Sequence, residues 1–244
     1  MRGMMMATLL AIALPQTPAT GLAVRFHHLH LRDSPPDFRI EFYERLFDRA
    51  VTHRVIFAGV AGLQTGSRLI LVSPGQGVKE VPAALWHFGW GRATLGESYL
   101  AHARGEVAWE PPLPPEDLHV HLRSLAPARA ATWYRDTLGA EIELPAPRRR
   151  GEALPPPEHR MPEALIDVGG LPLLVYRTEG PLLSSIGQRM DHLAFACLNL
   201  QEALAFLQAR GVTVLSGPES NSGIRSAMIA GPDQMPIELL EAGP

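Results

Sequence analysis

Alternation of apolar and polar side chains marks a strand at Leu118 to Leu122. Leu118, Val120 and Leu122 fall on one face, and His119 and His121 on the other. The period then changes. Ala130, Trp133, Tyr134 and Leu138 recur at helical spacing and predict a helix whose apolar stripe covers the aliphatic face of the strand. The same strand-then-helix pattern occurs upstream, from His27 to Asp48, with Phe38, Phe42 and Leu46 on the stripe. In both copies fifteen residues separate a strand histidine from the helix tyrosine: His28 to Tyr43, and His119 to Tyr134. One histidine on an open sheet face is ordinarily hydrogen-bonded or solvated lining. Duplication at matching places argues for a shared use.

A second pair of repeats has a different signature. The strand starting at Leu85 contains His87, then Thr94 and Glu97 form a capping box for a helix ending at Gly105. Near the C-terminus the strand His192 to Cys197 is followed by Asn199 with Glu202 as the cap, and Gly211 as the stop. Seven residues separate histidine from cap in both. Four units of strand, helix and further strands are therefore expected, beginning near Val24, Leu85, Leu118 and Asp191. The first continues through strands at Arg54 to Ala58 and Arg68 to Val72. The second stops early, at the stiff run Pro111 to Pro115. The fourth continues through Ile224 to Ala230, a turn at Gly231-Pro232-Asp233, and Pro236 to Leu240.

The expected organisation is thus a leader over 1–23, a first half over 24–110 with a truncated second unit, a Pro-rich linker over 111–116, and a complete second half over 117–244. The leader expectation rests on Arg2, an apolar run from Met4 to Leu14 too short to span a bilayer, and small residues at Ala19 and Ala23. It implies export to a bacterial periplasm, without a membrane anchor after leader removal; an unused leader would leave the protein cytoplasmic. A net charge of −3 over 244 residues gives no sign of a nucleic-acid partner. The single cysteine, Cys197, allows no internal disulfide and reads as a small buried residue. Arg148-Arg149-Arg150 and Pro155-Pro156-Pro157 fall in a loop expected to be solvated.

Four such units, histidines in their first strands and the terminal Gly-Pro-Asp-x-x-Pro-Ile-Glu-Leu-Leu resemble the vicinal oxygen chelate superfamily, which includes glyoxalase I, bleomycin and fosfomycin resistance proteins and extradiol dioxygenases. The resemblance implies an α+β fold of tandem βαβββ units, two glyoxalase-like halves with curved sheets around a metal cup. It implies one divalent ion (Fe, Mn, Ni or Zn), a small-molecule substrate, and a homodimer as one assembly. The matching ligand positions are His119, His192 and Glu238 if units pair within a half; under exchange between halves, His28 replaces His119. Glu238 stands between Ile237 and Leu239 with its side chain on the opposite face, where a cation would offset the cost of burying a carboxylate. His121 and Glu238 are the candidate catalytic groups, and His30 matches His121 in the first unit.

The implied chemistry is that of a metal-dependent lyase, isomerase or transferase on vicinal oxygens. Extradiol ring cleavage is the alternative enzyme, but Met228 stands where that group expects a tyrosine. A metal-free ligand-binding protein is the alternative outside catalysis.

Overall fold

The computed structural model describes residues 21–46, 52–75, 81–90, 118–144 and 161–242. Residues 1–20 of the leader, the helix expected after Thr94, the linker, and Arg148 to Pro157 of the arginine-bearing loop lie outside those residues.

The first-strand patterns of all four units become strands. The first unit forms β1 (Arg25–Asp33), α1 (Pro36–Leu46), β2 (Thr52–Phe57), β3 (Val60–Thr65) and β4 (Arg68–Pro74). From the second unit, β5 (Leu85–Trp90) is described. The third forms β6 (Leu118–Ser124), α2 (Pro127–Leu138), β7 (Glu141–Glu143), β8 (Ala164–Val168) and β9 (Leu171–Arg177). The fourth forms β10 (Met190–Cys197), α3 (Leu200–Gln208), β11 (Val214–Asn221), β12 (Ile224–Ala230) and β13 (Pro236–Glu241).

Local signals explain the helix ends. Asn199 accepts a hydrogen bond from the Glu202 backbone N–H at 3.1 Å and starts α3. Gly139, at φ 66°, ends α2 in the left-handed conformation that glycine adopts at little cost. The aliphatic face of β6 packs as its pattern predicts: Leu118, Val120 and Leu122 share a core with Tyr134 and Leu138. The stripe of α1 differs from expectation. Ile40 and Tyr43 are its buried residues, whereas Phe42 is 39% exposed. The side chains of Phe38 and Leu46 lie outside the described set. Cys197 is buried as expected.

The sheets do not respect the division into halves. Eight strands pair in the order β11-β12-β13-β10-β1-β4-β3-β2, so the first unit joins the fourth. Five pair as β5-β6-β9-β8-β7, so the second joins the third. The first strands meet antiparallel, β1 on β10 and β5 on β6. Both sheets are open and curved rather than closed into a barrel. Units are therefore exchanged between halves, which corrects the within-half pairing. The physical reason is edge pairing: β1 and β10 each carry a free edge until they hydrogen-bond to one another. No described helix is long and apolar enough to cross a membrane.

Candidate metal centre

The centre of the eight-stranded sheet is where two units meet. In antiparallel pairs, opposed residues share a face. His28 opposes Ala194 and His30 opposes His192 across β1 and β10. Ala194 in turn stands beside Glu238 on β13. His28, His30, His192 and Glu238 therefore project from one face, while Leu29, Leu31, Leu193, Phe195, Ile237 and Leu239 fill the core on the other.

Two imidazoles converge on one carboxylate oxygen. His28 Nε2 lies 3.6 Å and His192 Nε2 3.5 Å from Glu238 Oε2, with side-chain exposures of 2%, 12% and 18% respectively. Both Nε2 atoms are buried, and this carboxylate oxygen is the polar atom they meet, at a distance too long for a good hydrogen bond. Donor atoms in a tetrahedral shell with metal bonds of about 2.1 Å stand about 3.4 Å apart, so the spacing fits a shared cation. A ring nitrogen of His30 joins this group: His28, His30 and His192 each offer one atom within 4.8 Å of the others. They form the only such group among the described residues. Two neutral imidazoles and a carboxylate suit a borderline divalent ion and leave coordination positions open.

The charge states agree with that use. Burial, reinforced by His192, His30 and His27, pushes the His28 pKa well below its usual value, and burial holds His30 at about 4. Both rings are thus neutral at pH 7, with lone pairs available. Burial also opposes ionisation of Glu238, but the contact with His192 outweighs it and keeps the carboxyl below its ordinary range. Burial lowers His192, yet Asp191 and Glu238 outweigh it and raise the pKa. A divalent cation between His192 and Glu238 would take the place of that proton.

Two β-bulges supply supports that strand alternation does not reveal. Register breaks between Phe26 and His28, leaving His27 as an extra residue whose Nδ1 lies 2.8 Å from His28 Nδ1. A second break, where His30 opposes His192 but Leu31 opposes Met190, leaves Asp191 out of register. Asp191 Oδ1 sits 2.7 Å from His192 Nδ1, and its Oδ2 accepts the Gly187 N–H at 2.6 Å. That contact assigns the proton to Nδ1 and the lone pair to Nε2. Arg32 Nη1 lies 3.6 Å from the same Oδ2. His27 and Asp191 were missed because an out-of-register residue has no periodic mark; adjacency of Asp191 to His192 was the one available hint.

His119 and His121 lie elsewhere. Both belong to the five-stranded sheet, where His119 opposes Gly89 and His121 opposes His87. All three histidines of that sheet are fully buried. The His87 and His121 rings lie 4.0 Å apart, and His121 stacks on Tyr176 at 5.2 Å. The set His119, His192 and Glu238 is not the one assembled; the exchanged set with His28 is. His121, expected to act beside Glu238, is likewise in the other sheet, and His30 takes that position.

No family model matches the sequence, and neither does any curated protein. Solved structures do match in shape. A variant of glyoxalase I from Zea mays superposes with a TM-score of 0.61 at 14% identity, over 90% of this chain and 92% of that one. Glyoxalase I from Zea mays itself gives 0.55 at 13% identity, over 90% and 92%. The chain therefore has the fold of glyoxalase I across most of its length.

Proposed function

We propose that this protein is a divalent-metal-dependent lyase, isomerase or transferase acting on a small vicinal-oxygen substrate at His28, His192 and Glu238. The observation that carries the reading is the convergence of two buried Nε2 atoms on one carboxylate oxygen. When bound, the metal supplies Lewis-acid stabilisation of negative charge on a substrate oxygen. The rest belongs to the chain. Asp191 holds the Nδ1 proton of His192 and orients its ring. Ser73 Oγ, 2.9 Å from His30 Nε2, orients a second ring at the cup. Phe57, packed against the His27 and His28 rings, narrows access of water to that corner. Met228 stands opposite Glu238 and brings no hydroxyl, so ring cleavage has less support than the enediolate-type chemistry.

Export through the leader and assembly as a homodimer are part of the reading. Leu22 N–H donates to Thr137 O at 2.9 Å, which favours removal of the leader near Ala19 over Ala23, since the latter would discard this contact.

Adding Fe(II), Mn(II), Ni(II) or Zn(II) at about 100 times Kd is expected to raise the melting temperature by about 5–10 °C. Glu238→Ala should abolish the rise. No rise with any of the four ions in the wild type would overturn the reading in favour of a metal-free ligand-binding protein.

A further inference from the structure

We infer that His30 is a third imidazole ligand of the metal, taking the place of a carboxylate that the first unit lacks; this rests on the metal-site reading above. The two units meeting in the eight-stranded sheet repeat one another residue by residue. His28 of β1 corresponds to His192 of β10, which makes Leu29 the counterpart of Leu193 and His30 that of Ala194. On the neighbouring parallel strands, Ile70 stands beside Leu29 as Ile237 stands beside Leu193. One residue further, Leu71 stands beside His30 as Glu238 stands beside Ala194.

The counterpart of Glu238 is thus Leu71, which is buried and has no donor atom. The two units solve the same position in opposite ways. In the fourth, a methyl group on the first strand leaves room for a carboxylate on the last. In the first, the last strand is apolar and the first strand bears an imidazole.

Geometry supports ligation. One His30 ring nitrogen lies within 4.8 Å of ligand atoms of both His28 and His192. Ser73 Oγ at 2.9 Å and the His192 ring, stacked at 4.6 Å, hold the His30 ring in place. Three neutral imidazoles and one carboxylate leave a divalent ion with a net positive charge. Such a site favours an anionic oxygen ligand over a neutral one.

The test is to count imidazoles on Cu(II) bound to the full chain by pulsed electron paramagnetic resonance. Three nitrogen couplings are expected in the wild type and two in His30→Ala, which should also weaken Co(II) binding by at least about tenfold in chelator competition. Two couplings in the wild type would overturn the inference, and that count stands even if the variant does not fold. An unchanged Co(II) affinity in a folded His30→Ala would overturn it too. Failure of the wild type to bind either ion would instead defeat the metal-site reading itself. Binding that Glu238→Ala destroys, with a wild-type count of two, would defeat only this inference.

Discussion

Each sheet carries a group of three histidines, and among the described strands a carboxylate, Glu238, shares a face with the group in the eight-stranded one. In the eight-stranded sheet, His28, His30 and His192 share a face with Glu238. In the five-stranded sheet, His87, His119 and His121 are enclosed, and the strand beside His121 offers Leu174 where the other sheet offers Glu238. A buried imidazole can also pack on an aromatic ring, as His121 does on Tyr176. Adding a carboxylate changes the balance, because a buried anion needs a cation or a proton nearby. On the proposed reading, the acid on the last strand, rather than histidine repetition, is what makes the eight-stranded face a candidate metal centre.

The sharpest way to break this comparison is to remove one histidine from each sheet. His28→Ala is expected to weaken metal binding by about a hundredfold or more, since a ligand should matter at least as much as an outer partner. His119→Ala should change it less than about twofold. Chelator competition measures both, and equal losses would erase the distinction. Next, Asp191→Asn should lower affinity by about 10- to 100-fold, because the amide can present its N–H and leave His192 in the wrong tautomer. Nitrogen chemical shifts of the His192 ring in metal-free protein report the tautomer directly, and an unchanged pattern would count against that role.

The five-stranded sheet should respond in stability instead. His121→Ala is expected to cost about 2–4 kcal/mol of unfolding free energy, through a cavity beside Tyr176, with metal stoichiometry unchanged. Denaturant titration measures it.

Acid gives a smaller, graded effect on the metal-free protein. His28 and His30 have depressed pKa values when folded, so the unfolded chain binds more protons below about pH 6.5. Their contribution to stability is present above that pH and is lost as it falls toward about 4, the folded value of His30. His192, raised when folded, acts in the opposite sense: its contribution is present below pH 6.5 and is lost as pH rises through its folded pKa. With two rings depressed against one raised, the melting temperature should fall by several degrees between pH 6.5 and 4.5, and His30→Ala should flatten the slope.

Much was legible in the chain before folding. Period two in Leu118 to Leu122 and period 3.6 in Ala130 to Leu138 specified β6 and α2, and matching intervals in the other units exposed the repeats. That His28, His192 and Glu238 point away from the apolar face of their strands was legible too, because strand alternation assigns a side chain to a face without reference to its partner. Partnership was not. Whether β10 lines up with β1 or with β6 is decided by which free edges meet, and alternation is the same for either neighbour. The bulges at His27 and Asp191 were equally hidden, since an extra residue in one strand exists only relative to the strand opposite. The sequence by itself thus determined the first strands, the helices and the faces on which the histidines and Glu238 stand. Tertiary pairing alone decided that His28, rather than His119, stands with His192 and Glu238, because contacts between distant strands carry no local signal.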